Sequence, residues 1–257
     1  MTTTREDGSL YTHIQNKIAT IEFGHPASNS FPKILLERLT NELNKLSVNN
    51  EVLVIILKSE GDRTFCAGAS FHELAAIDNV SDGKAFFSGF ANVINAMRRC
   101  SKLIIGCVQG KTVGGGVGLV AACDYALATE QAAIKLSELT IGIGPFVIAP
   151  VVKRKINISG FAELTLDATR WKNAYWAKEK GLYARVFETQ NELNKEVDIL
   201  AEKLASYNPE ALTEIKKNLW KNTEHWDNLL LEQAEISGKL AVSSFTKKAL
   251  EKLKNNQ

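Results

Sequence analysis

The sequence is short of most residues that mark specialised proteins. It has four cysteines among 257 residues, Cys66, Cys100, Cys107 and Cys123. None forms a Cys-x-x-Cys pair, and no histidine stands near them at metal-ligand spacing, which excludes a zinc ribbon, a thioredoxin-type pair and a disulfide framework. Isolated cysteines of this kind act as small core residues, and reduced thiols in a cytoplasmic setting are expected. Excess charge is also lacking, because 31 basic and 29 acidic residues leave a formal net charge of +2. A nucleic-acid partner calls for a basic face or stripe, which the scattered lysines do not make. No apolar run approaches the roughly 20 residues of a membrane span. The opening "MTTTREDGSLY" has no apolar core of a secretory signal. No low-complexity segment or linker interrupts the chain.

What is present alternates between two periods. "KIATIEF" (Lys17 to Phe23) alternates apolar and polar residues, as a strand does. "EVLVIILKS" (Glu51 to Ser59) and "KLIIGCVQG" (Lys102 to Gly110) are nearly continuous apolar runs, suited to strands buried on both faces of a parallel sheet. Between them, "KILLERLTNELNKL" and "GKAFFSGFANVINAMRRC" repeat apolar residues at helical spacing, the second with Phe86, Phe90, Val93, Ile94 and Met97 on one face. "YALATE" and "AIKLSE" read as short strands, and beyond Ser159 the strand signal nearly vanishes. Amphipathic helices follow, one with Asn208 as N-cap and Pro209 in its first turn. The pattern predicts an α/β fold, with an α/β core over residues 1–190 and a helical region over 191–257.

Two small-residue loops carry the candidate chemistry. "GKTVGGGVGLVAACD" places Gly114, Gly115 and Gly116 between a buried strand and a helix. A helix N-terminus has unpaired N–H groups and a partial positive charge, so this junction suits an anion or a developing oxyanion. It also suits a tight strand-to-helix turn packed against a neighbour. The dinucleotide pattern fails because position 119 is Leu119, and no Gly-Lys-Ser/Thr follows for a phosphate loop. "FCAGASFHEL" (Phe65 to Leu74) is a second such loop after a buried strand. Two loops on adjacent strands can aim two N–H groups at one carbonyl oxygen, an oxyanion hole.

Together these loops resemble the crotonase (enoyl-CoA hydratase/isomerase) superfamily. "FCAGASFHEL" is similar to its first loop, and "GGGVGLVAACDYALATEQAAIKLSELTIGI" to its glycine turn, its helix ending in Cys/Ser-Asp and its glutamate segment. "WAKEKGLYARVF" and "NPEAL" resemble later family elements, so the likeness covers nearly the whole chain. The resemblance implies a spiral of ββα units with a C-terminal helical trimerisation region, assembled as a homotrimer or hexamer. It implies an acyl-CoA substrate, no further cofactor and no metal, with a thioester enolate held by the N–H groups of Ala69 and Gly115. Ala67, Gly68, Ser70 and Phe71 would lie along coenzyme A, with Gly114 and Gly118 also contacting the substrate and Phe146 walling the acyl pocket. Lys33 and Lys252 are candidates for the CoA phosphates, though they read more readily as surface lysines.

Family hydratases carry two glutamates, and only Glu138 matches here. The other position, two residues past the third glycine, is Gly118. Leu136, Leu139 and Ile141 flank Glu138 and would raise its pKa into the range useful for proton transfer. Adding water across a double bond usually uses two acid–base groups, whereas shifting a β,γ double bond to α,β needs one. By counting, a Δ3–Δ2 isomerase fits. By motif, "GGGVGLVAACD", "KLSELTIGI" and "PFVIAP" match bacterial methylglutaconyl-CoA hydratases almost letter for letter. The motif match leads the reading towards an enoyl-CoA hydratase, with the isomerase and an idle CoA-binding scaffold as alternatives. Asp124 is expected to be structural, Cys66 to be a packing residue and His72 to sit on the surface. The tryptophans Trp171, Trp176, Trp220 and Trp226 are expected in the core or at a subunit interface.

Overall fold

The computed structural model describes residues 7–255. The polar opening of the chain over residues 1–6 lies outside them. Among the described residues nine strands form two sheets: β1 (Ser9–Gln15), β2 (Ile18–Gly24), β3 (Val54–Ser59), β4 (Thr64–Cys66), β5 (Leu103–Val108), β6 (Lys111–Val113), β7 (Tyr125–Thr129), β8 (Ile134–Lys135) and β9 (Arg185–Phe187). The larger sheet runs β1-β2-β3-β5-β7-β9, parallel except for the β1–β2 hairpin, and the smaller runs β4-β6-β8, all parallel.

From β3 onward, successive strands alternate between the sheets. The pairs β3–β4, β5–β6 and β7–β8 each place one strand in the larger sheet and the next in the smaller. After each pair comes helix: α2 (Phe71–Ala75) and α3 (Val80–Arg99), then α4 (Gly115–Ala122), then α5 (Ala149–Leu166). This repeat is the expected ββα spiral. It brings the loops after β4, β6 and β8 to the carboxyl ends of three neighbouring parallel strands, where open α/β sheets hold ligands.

Helix α1 (Lys33–Val48) buries Leu35, Leu36, Leu39, Leu43 and Leu46 on one stripe. The helices α6 (Ala174–Glu179), α7 (Gln190–Ala205), α8 (Pro209–Leu219), α9 (Trp226–Ala241) and α10 (Ser244–Lys254) complete the chain. Asn208 caps α8 by accepting the Glu210 N–H at 2.9 Å. The boundary drawn after residue 190 does not coincide with a break in packing. Leu193, Val197 and Ala201 of α7 cover Val54, Ile56, Ile105, Cys107 and Leu127 of the larger sheet.

Asp124, at the end of the glycine-turn motif, ties α8 to the core. Its side chain and that of Lys216 are each 3% exposed and pair at 2.7 Å. The same carboxylate accepts the Trp220 indole N–H and the Ile104 backbone N–H, both at 2.7 Å. Trp220 and Trp226 are buried and meet edge to face, while Trp171 is exposed and Trp176 half-buried. Among the described residues no helix is long and apolar enough to cross a membrane, and no cluster of His, Cys, Asp and Glu could hold a metal ion.

Candidate functional site

Each glycine of the triplet answers to a different neighbour. Gly114 adopts φ 55 and ψ −122, a conformation that side chains disfavour. A methyl group placed there would lie 2.9 Å from Glu138 Oε1. One on Gly115 would lie 2.5 Å from the Phe90 ring, and one on Gly116 2.7 Å from Cys66 Cβ. The triplet therefore lets a carboxylate, an aromatic ring and the first loop all approach the start of α4.

The first loop is held as firmly. The Phe31 N–H donates to Gly68 O at 2.8 Å and the Ser70 N–H donates to Phe31 O at 3.1 Å, so Ala69 is bridged from one side only. Gly68 takes φ 89, and a methyl on it would meet Val113 O at 3.0 Å and Gly115 N at 3.5 Å. The two loops touch at this point. The N–H groups of Ala69 and Gly115 have no acceptor among the described residues. Cys66 lies beneath, fully buried, its thiol pushed up to about 12 by desolvation. A thiol held neutral in this way is no nucleophile.

Glu138 opens a short 3-10 turn (Glu138–Ile141) after β8. The residue as a whole is half-buried, but its Oε2 is closed off from solvent and has no hydrogen-bond partner. Burial pushes its carboxyl up to about 7, partly opposed by a bond from its own backbone N–H. A carboxyl poised there can take up and return a proton at neutral pH.

These groups line one cavity of about 210 Å³. Of the residues singled out in the sequence, Ala67, Gly68, Ala69, Phe71, Gly114, Gly115, Glu138 and Phe146 line it. Ser70 does not, because it caps α2, its hydroxyl accepting the Glu73 N–H at 3.3 Å. Lys33 stands apart at the start of α1, its amine exposed and 3.9 Å from Glu37. Lys252 is exposed on α10, and His72 is exposed on α2. Gly118 is buried inside α4, away from the lining. A methyl placed on it would overlap Ile148 Cγ2, lying 2.8 Å from Ile148 Cβ and 3.6 Å from Ile94 Cδ1. The space where a second carboxylate was sought is filled by isoleucine.

Other lining residues carried no mark in the sequence, among them Leu74, Phe87, Ile143, Ile148 and Ser237. The adjacent pair Phe86–Phe87 was the available signal, since two large neighbouring rings about 100° apart widen the apolar face of α3 beyond the stripe marked by Phe90, Val93, Ile94 and Met97.

The chain resembles known proteins in both sequence and fold. The family model described as "Enoyl-CoA hydratase/isomerase" matches residues 13–254. The peroxisomal Delta(3,5)-Delta(2,4)-dienoyl-CoA isomerase of Arabidopsis thaliana is 30% identical over 196 residues, 71% of this chain and 69% of that protein. A protein of Bacillus subtilis (strain 168) described as a probable enoyl-CoA hydratase is 26% identical over 206 residues, 80% of this chain and 79% of its own. In fold, the enoyl-CoA hydratase of Bacillus halodurans superposes with a TM-score of 0.87 at 21% identity, covering 95% of this chain and 99% of that one.

Proposed function

Because the chain belongs to the enoyl-CoA hydratase/isomerase family, we propose that it shifts a double bond in an enoyl-CoA thioester, with Glu138 as its single acid–base group. The observation that carries this reading is the filled space at Gly118. With Ile148 packed there, Glu138 is the one carboxyl group lining the cavity among the described residues.

In this reading the thioester oxygen sits against the N–H groups of Ala69 and Gly115. The Glu138 carboxylate removes a proton from C2 of a β,γ-unsaturated acyl group. The electron pair moves onto the thioester oxygen as an enolate, which the two N–H groups stabilise by a few kcal/mol each. The enolate then collapses, the double bond moves to α,β, and the proton on Glu138 is delivered to C4. The carboxylate is restored and nothing is consumed. A pKa near 7 suits both halves of this transfer.

A hydratase is the second reading, favoured by the likeness of "GGGVGLVAACD" and "KLSELTIGI" to methylglutaconyl-CoA hydratases and by relatives named as enoyl-CoA hydratases. Following the absorbance of the conjugated thioester separates the two. A gain from a 3-enoyl-CoA, without loss from a 2-enoyl-CoA, supports the isomerase. Loss from a 2-enoyl-CoA with water added across the bond overturns it in favour of the hydratase. Assembly as a homotrimer or hexamer belongs to the same family reading, and light scattering of the purified protein tests it.

A further inference from the structure

The cavity has a direction that α3 measures out. At its chemical end Phe90 packs over Gly115. One turn back along α3, Phe86 and Phe87 both line the cavity, their rings edge to face with centroids 5.0 Å apart. One further turn back stands Gly83, where α3 meets α9. A methyl on Gly83 would lie 2.7 Å from Gly238 Cα, and one on Gly238 would lie 2.5 Å from the Lys84 backbone nitrogen. The two helix backbones are in contact there, which leaves no room for a chain to pass between α3 and α9 at that point. Ser237 beside this crossing lines the cavity, but its hydroxyl is committed to Gln233 O at 3.1 Å. From Phe90 to Gly83 is about two helical turns, on the order of 10 Å.

The walls along this path are hydrocarbon. Leu74, Ile141 and Ile143 face the two phenylalanines, and no Lys, Arg or His lines the cavity among the described residues. Two cations on the bounding helices are paired elsewhere, Lys84 with Glu235 at 3.0 Å and Lys247 with Asp78 at 3.2 Å. A carboxylate laid against these walls would give up part of its water and find no cation to pair with. For size, an engineered apolar cavity of about 150 Å³ holds benzene. By that measure the present one accommodates on the order of eight carbon atoms.

We propose that the acyl group is a plain hydrocarbon chain of short to medium length, and that the Gly83–Gly238 crossing sets its upper limit, with Phe86 and Phe87 forming the wall before it. This rests on the acyl-CoA reading given above, but not on the reaction. It separates hydrocarbon acyl groups from dicarboxylic ones such as methylglutaconyl.

Calorimetric titration with saturated thioesters, which carry no double bond to move, tests it. Butyryl-, valeryl-, hexanoyl-, octanoyl-, dodecanoyl- and palmitoyl-CoA are compared with glutaryl-CoA on the wild type and on Phe86→Ala. Affinity is expected to rise up to octanoyl and fall for dodecanoyl and palmitoyl, with glutaryl-CoA at least about tenfold weaker than valeryl-CoA. Phe86→Ala is expected to move the optimum to a longer chain. The proposal is overturned if palmitoyl-CoA binds the wild type most tightly, or if glutaryl-CoA matches valeryl-CoA. The wild-type series decides even if the variant misfolds. Failure to bind any acyl-CoA overturns this proposal and the acyl-CoA reading together, whereas the expected chain preference without double-bond migration overturns the isomerase alone.

Discussion

Replacing Gly118 with alanine probes the filled space directly. The added methyl overlaps Ile148 Cγ2 and stands 2.8 Å from Ile148 Cβ, well inside ordinary carbon contact. Overpacking of this kind costs about 1–3 kcal/mol. Gly118 lies within α4, so alanine also recovers about 1 kcal/mol of helix propensity. The net expectation is a loss of roughly 0–2 kcal/mol. Ile148→Ala alone empties a buried site, since Ile148 is 3% exposed, and costs about 2–5 kcal/mol. In the double variant Cγ2 is gone and the alanine methyl occupies part of the hole. The pair should therefore cost less than the sum of the singles by about 1–2 kcal/mol. Urea unfolding of the four proteins measures this coupling. Additivity within about 0.5 kcal/mol would refute the claim that Ile148 fills the position. By the same reasoning Gly118→Glu adds a buried, unpaired carboxylate to the overlap, and should lower stability without creating hydration activity.

Three other perturbations follow from the geometry. Lys216→Met leaves Asp124 buried without its cation, which should cost about 3–5 kcal/mol and lower Tm by roughly 6–20 °C; an unchanged melting curve contradicts the role given to the pair. Gly114→Ala forces a side chain into φ 55 and against Glu138 Oε1, so it should cost about 1–3 kcal/mol and reduce turnover by more than the loss of folded protein explains. Glu138 is held at about 7 when folded, above its unfolded value of about 4.3. The folded state thus binds the extra proton between those values, and the stability linked to it is complete below about pH 4.3 and lost as pH rises through about 7. The decline is on the order of 4 kcal/mol. Glu138→Gln should abolish that slope, raising Tm relative to wild type more at alkaline than at acid pH, and an identical slope in both proteins counts against the buried carboxyl.

Much of this arrangement can be read in the sequence where the pattern is long. Helices α1, α3 and α7 declare themselves through repeated apolar positions, and α8 through Asn208 and Pro209. The strands β4 and β9 are three residues each, too short to show a period, and so pass for loop. The loops Ala67–Ala69 and Gly114–Gly115 are legible because close backbone approach demands small residues there, whereas Glu138 is legible only through the resemblance of "KLSELTIGI" to the family's glutamate segment. Ser70 shows the limit of that reading. Its place in the loop suggests the ligand, yet its hydroxyl is spent on the start of α2. Ile148 shows it more sharply, since no local pattern links a residue at the start of α5 to an absent side chain in α4. Only tertiary packing joins them.

Turnover of a 3-enoyl-CoA by Glu138→Gln, measured beside its affinity for a saturated acyl-CoA, tests the central claim most directly. The variant keeps the volume of the side chain and the two N–H donors while removing the carboxylate. The account predicts a fall of about two to four decades in the rate of double-bond migration, with acyl-CoA affinity unchanged. Wild-type turnover in that variant would contradict it.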